Sequence, residues 1–142
     1  MTLAVKISVL ASGLFLLVGM LIGIVKRQKM LTSPDHNAPA YIDIAHRAAF
    51  LYSFAMLVIA KLLEFSPYSE TVQLVSMGSV LIFLAVTIVG YFSHGVMNKT
   101  DNLFHKRNFS TTWYVYALTV GEIGGLAVIL WGFISTQILG AK

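Results

Sequence analysis

Three ionisable residues, Asp43, His46 and Arg47, stand at the start of an otherwise apolar stretch, residues 41–65. The stretch reads as a membrane-spanning helix, and ionisable groups in such a segment are costly enough to imply a use. Asp43 and Arg47 are four residues apart, the spacing at which opposite charges pair along one helix face. His46 shares its face with Ala49, Phe50 and Ser53 and so has no local partner. A neutral imidazole at the edge of an apolar bundle offers a nitrogen to a metal or to haem iron. The competing reading is a structural histidine at headgroup depth, bonded to water or to a backbone carbonyl.

A second chemical signal is Glu122, in the run Gly121-Glu122-Ile123-Gly124-Gly125. Inserting a charge at that depth of a spanning helix costs at least ~2.5–3.5 kcal/mol. Glu122 is therefore expected to face protein, and to be protonated, hydrogen-bonded, or beside a cation or a water-filled cavity. The three glycines around it let another helix or a flat ligand approach the backbone. Its structural reading is a hydrogen-bonded tie between helices.

These residues need helices to position them, and the composition supplies little else. The chain has 142 residues, of which 57% are hydrophobic and 11% charged, with mean hydropathy +0.79. Those values lie outside the soluble range and predict an integral membrane protein in contact with the lipid bilayer. The expected architecture is an all-α four-helix transmembrane bundle forming a single domain over residues 1–142, with helices at about 4–25, 41–64, 71–94 and 112–138. Residues 7–25 and 71–93 are uncharged runs that suffice, at about 1.5 Å per residue, to cross roughly 30 Å of hydrocarbon. The second helix spans only if Arg47 and Lys61 extend their stems toward the two interfaces. The first segment has too long an apolar run for a signal peptide and is expected to be retained. With no cysteine in the sequence, disulfides, thiolate haem ligation and iron–sulfur clusters are excluded.

Charge sets an expected orientation. Loop one, residues 26–40, carries Lys26, Arg27 and Lys29 against Asp35, with Pro34 and Pro39 stopping the helix. Loop three, residues 95–111, carries Lys99, Lys106 and Arg107 against Asp101, whereas the second loop is bordered by Lys61, Glu64 and Glu70. The positive-inside rule then puts loops one and three in the cytoplasm and both termini outside, in the inner or plasma membrane. The basic residues lie mostly at helix ends, which argues against nucleic acid as a partner. Trp113, Tyr114 and Tyr116 read as an interfacial aromatic belt. Gly19 and Gly23, like Gly121 and Gly125, have the spacing for close helix contact, expected here between subunits.

Ala45-His46 entering helix two, the apolar run Met56-Leu57-Val58-Ile59-Ala60, Gly90-Tyr91-Phe92 ending helix three and a polar loop into an aromatic-rich helix four together resemble the styrene oxide isomerase family. Those are small four-helix membrane proteins that assemble as trimers and hold haem b between subunits. The resemblance implies haem b as cofactor, His46 as its axial ligand and a homotrimer; counted from Gly90, the position of the family's active-site tyrosine falls on Phe92, with Tyr91 one residue early. Tyr52 stands where the family has an asparagine that orients the epoxide, and loop three, with His94, Lys99, Asp101 and His105, departs from the family's aromatic, glycine-rich loop. Epoxide isomerisation is therefore not implied as it stands.

Three functional expectations follow. In the first, neutral His46 holds haem b, Phe50 and other apolar side chains enclose the porphyrin, and Arg47 and Lys99 pair with its propionates. An open sixth position would make the iron a Lewis acid toward a small apolar oxygen-containing ligand held by Tyr52 or Tyr91, an isomerase-like use. A sixth position filled by His94 would make the protein a redox carrier or sensor. In the second expectation, Glu122 is the titrating site of a small proton-coupled transporter or channel, gated by Asp43, Arg47 and His94. A non-catalytic subunit of a larger complex is a third reading.

Overall fold

The computed structural model describes residues 1–105 and 108–140. Lys106 and Arg107, which enter the charge argument above, lie outside the described residues. Among the described residues there is no strand: the chain is an all-α bundle of four helices, each long and apolar enough to cross a membrane. They are α1 (Leu3–Thr32), α2 (Ala40–Glu64), α3 (Glu70–Met97) and α4 (Val115–Phe133), the last extended by π-helical turns at Ser110–Tyr114 and Ile134–Ile138. Consecutive helices run antiparallel, with α2 and α3 central and α4 the least buried.

Helix α1 is longer than the expected 4–25. Lys26, Arg27, Gln28, Lys29 and Met30 are good helix formers, so polarity alone does not end the helix, and it continues until Ser33 precedes Pro34. Loop one is thus residues 33–39. Its Asp35 accepts hydrogen bonds from the Ser33 hydroxyl and from Asn37, which hold its carboxyl below the usual carboxylate range. Helix α3 likewise runs past residue 94 and stops at Asn98, whose left-handed φ of 47° turns the chain while its N–H caps the His94 carbonyl.

In hydrocarbon, helices associate through close packing and hydrogen bonds, and small residues decide where backbones approach. The glycine pairs do this within the chain. A Cβ on Gly19 would stand 3.3 Å from the Phe50 ring and one on Gly23 2.9 Å from His46 Cε1, so α1 seats two α2 side chains. Gly95 lies against Ile42, joining α3 to α2, while Gly121 and Gly125 receive Phe83 and the Ser76–Val80 turn of α3. The expectation that Gly19/Gly23 and Gly121/Gly125 serve contacts between subunits is therefore corrected: both faces are filled by the protein's own helices. Ser12 and Ser53 meet at 3.4 Å between α1 and α2, and Thr2 and the Leu3 N–H bond Gln73 and Glu70, tying the start of α1 to α3.

Candidate functional site

His46 is held by α1 rather than left without a partner. Its Nδ1 lies 2.9 Å from the Gly19 carbonyl oxygen, its ring packs on Gly23, and the Phe50 ring meets it edge-on at a centroid distance of 5.0 Å. A carbonyl can only accept, so Nδ1 carries the proton and, in the neutral ring, Nε2 keeps its lone pair. This is the arrangement by which a backbone carbonyl fixes the tautomer and orientation of a ligating imidazole. The ring is half-buried, and the absence of a side chain at Gly23 is what leaves it room.

Beside it, at the loop-one end, lies a three-residue cluster of ion pairs. Asp43 takes Lys26 of α1 at 2.5 Å and Arg47 of its own helix at 2.8 Å. The Asp43–Arg47 pair matches its spacing, while Lys26 joins it because α1 extends past residue 25. Arg47 is 66% exposed and keeps guanidinium N–H groups beyond the one bonded to Asp43.

Tyr52 and Tyr91 do not share the His46 face. Six residues separate His46 from Tyr52, about 120° of helix rotation, and Tyr52 turns toward the interior, its ring against Phe15 of α1 at 6.4 Å. Tyr91 of α3, like Tyr52, is partly buried against the core of the bundle. His94 is elsewhere again: its ring lies 6.1 Å from that of Tyr41, which stacks on Tyr91 at 5.8 Å and accepts the Leu103 N–H at 2.8 Å. Lys99, Asp101 and His105 are exposed on loop three.

Tyr114 is the residue that the belt reading misassigns. Trp113 and Tyr116 are 66% exposed, as a belt requires, but Tyr114 turns inward onto Phe83 at 6.2 Å with its hydroxyl buried. The π-helical turn at Ser110–Tyr114 shifts the register that ideal periodicity would give, and such turns are frequent at functional sites. Thr87, one turn before Tyr91 on α3, was also missed, although its i,i+4 spacing to Tyr91 was a usable signal. Thr87 Oγ1, Tyr114 Oη and Glu122 Oε1 are buried and have no hydrogen-bond partner among the described residues. Native proteins pair nearly all such atoms, which makes these three, one on α3 and two on the fourth span, exceptions to be explained.

Among the described residues no group of three or more His, Asp or Glu side chains could hold a metal ion, so metal chemistry here rests on single-residue ligation at His46. No protein-family model, curated protein or solved structure matches the chain. The class defined by fold and site is therefore structural: a four-helix bundle of membrane-spanning length with two polar stations, one at His46 on the α1–α2 seam and one at Glu122 on α4.

Proposed function

We propose that the chain is a haem b-binding integral membrane protein in which His46 is the axial ligand. The observation that carries this reading is the bond from His46 Nδ1 to the Gly19 carbonyl, which leaves Nε2 as a lone pair on a half-buried, oriented ring. Phe50 supplies an apolar wall, and Arg47, beside His46 on the chain, has donors free for a carboxylate such as a porphyrin propionate. Haem held there supplies a Lewis-acidic or one-electron metal centre that no side chain of this sequence provides.

The remaining residues shape how such a centre is used. His94 lies against Tyr41, away from the α1–α2 seam, which favours an open sixth position over bis-histidine ligation. Tyr52 and Tyr91 face the bundle interior of their own chain, so this reading gives them no contact with a ligand at the iron; the homotrimer is what the resemblance implies. The orientation in the bilayer, with loops one and three in the cytoplasm, remains the one read from charge.

The test is the visible spectrum of a variant series. His46→Ala should lose the Soret band, near roughly 400–430 nm for His-bound haem, because the iron bond goes while apolar contacts stay; His94→Ala should leave the spectrum unchanged. A normal spectrum in His46→Ala rejects the ligand assignment, and a shifted one in His94→Ala rejects the open sixth position.

A further inference from the structure

The last turns of α1 stand outside the hydrocarbon and border a polar cleft. At about 1.5 Å per residue the 30 residues of α1 measure about 45 Å, against roughly 30 Å of hydrocarbon, so the stretch from Lys26 to Thr32 reaches headgroup depth. There a cleft of about 380 Å³ opens between the end of α1, loop one and the end of α3, with Lys29, Asp35, Asn37 and Asn98 in its lining. Lys29 stands seven residues after the buried Ile22, on the side of α1 turned into the bundle, and is itself half-buried. Its ammonium has no ion-pair or hydrogen-bond partner among the described residues, whereas Lys26, the other half-buried lysine among them, is paired with Asp43. On the loop-one side, Asp35 accepts from the Ser33 hydroxyl and from Asn37, bonds that keep it ionised at neutral pH. Its Oδ2 takes one of these, from Asn37 Nδ2 at 3.2 Å, and keeps a lone pair free.

The lining thus carries one charge of each sign. An anion alone leaves Asp35 facing it, and a cation alone leaves Lys29 without a partner. A ligand with both signs satisfies both, and at headgroup depth such molecules are the zwitterionic phospholipids. The lining also decides which cation they carry. It holds no aromatic ring among the described residues, and aromatic faces are what bind quaternary ammonium. A primary ammonium instead has three N–H donors for carboxylate and amide oxygens.

We propose that this cleft binds the phosphoethanolamine headgroup of a phospholipid, with Lys29 on the phosphate and Asp35 on the primary ammonium. Charge-assisted hydrogen bonds of this kind are the strong ones. Asn98 is brought to the cleft by the left-handed turn that ends α3, and its side-chain amide, which has no partner among the described residues, adds donors for the phosphate oxygens. The cleft shares no residue with the His46 site. Lys29 lies six residues beyond Gly23, about 120° round α1 from the notch that seats His46, so the two readings stand or fall separately. No covalent step is involved.

The experiment is native mass spectrometry of the full-length protein in mild detergent, titrated with phosphatidylethanolamine, phosphatidylcholine and phosphatidylglycerol of identical acyl chains, and with water-soluble glycerophosphoethanolamine. Phosphatidylethanolamine should bind about three- to fivefold tighter than either other lipid, the contribution of one partly exposed ion pair, and the soluble headgroup should bind more weakly than the lipid. Asp35→Asn, which keeps an acceptor for Ser33 and Asn37 and loses the charge, should erase the preference over both other lipids. Lys29→Met should weaken all three lipids by about the same three- to fivefold, since each carries the phosphate. Helicity by circular dichroism verifies that each variant is folded. Equal binding of the three lipids, tighter binding of phosphatidylglycerol than of phosphatidylethanolamine, an unchanged preference in Asp35→Asn, or unchanged binding in Lys29→Met each overturns the proposal. Equal affinity for the soluble headgroup overturns the lipid as its source.

Discussion

Gly124 and Gly125 are neighbours on α4 with opposite surroundings, and substituting each by alanine measures the helix contact that holds α4 on α3. A Cβ on Gly125 would lie 2.4 Å from the Ser76 carbonyl oxygen, 2.4 Å from Ser79 Oγ and 2.8 Å from Val80 Cγ2, whereas one on Gly124 meets nothing within 4 Å. Ordinary contact needs roughly 1 Å more than the Gly125 distances allow. The nearest atom is backbone, and Ser79 Oγ is tied to the Ser76 carbonyl at 2.8 Å and the Gly121 carbonyl at 3.1 Å, so neither yields without breaking a hydrogen bond or sliding α4 off α3. Overpacking of this kind costs about 1–3 kcal/mol. Both variants share the intrinsic gain of replacing a helical glycine by alanine, about 1 kcal/mol, so their difference isolates the contact. Gly125→Ala should therefore be less stable than Gly124→Ala by about 2 kcal/mol, read by equilibrium unfolding in mixed micelles. Equal stability of the two variants would refute the close α3–α4 packing at Gly125.

Other outcomes follow from single contacts. Asp43→Asn leaves Lys26 and Arg47 facing each other without their shared anion, and since all three side chains are partly exposed the loss should be only about 1 kcal/mol and shrink with added salt, as a thermal scan at two ionic strengths would register. Tyr114→Phe removes a buried hydroxyl that has no partner, so it should leave stability unchanged or raise it by about 1 kcal/mol, in contrast to Tyr41→Phe, which gives up the bond from the Leu103 N–H; hydrogen exchange at Leu103 separates the two. The charge distribution predicts that a reporter fused after residue 142 is read outside the cytoplasm, and cytoplasmic signal would invert the orientation.

The spans were legible because long uncharged runs have few other uses, and their number and order needed only the polar, charged segments between them, with Pro34 and Pro39 in loop one and Lys99 and Asp101 in loop three. What failed was whatever depended on a helix end or on which neighbour fills a notch. The end of α1 was placed at the first lysine, so the Lys26–Asp43 pair, which needs the helix to continue, went unseen. Gly19 and Gly23 were recognised as a notch but assigned to another subunit, although Phe50 and His46 of α2 fill it; the sequence contains the groove and both side chains, yet only packing matches them. The inward turn of Tyr114 depends on a π-helical turn that shifts register against the regular period, and no composition signal announces one. Glu122 was legible as a deep acid, whereas the packing of Tyr52 on Phe15 and of Tyr91 on Tyr41, away from the His46 face, was not.

The central claim is that this bundle carries haem b through His46, and the most direct measurement is haem content per chain. Protein expressed in haem-replete cells and purified in mild detergent should carry close to one haem b per chain by pyridine haemochrome assay, with ligation by a single histidine in its resonance Raman spectrum, and His46→Ala prepared in parallel should carry almost none. Colourless, iron-free protein that is folded by circular dichroism would contradict the claim and leave the bond from His46 to the Gly19 carbonyl as a tie between α1 and α2.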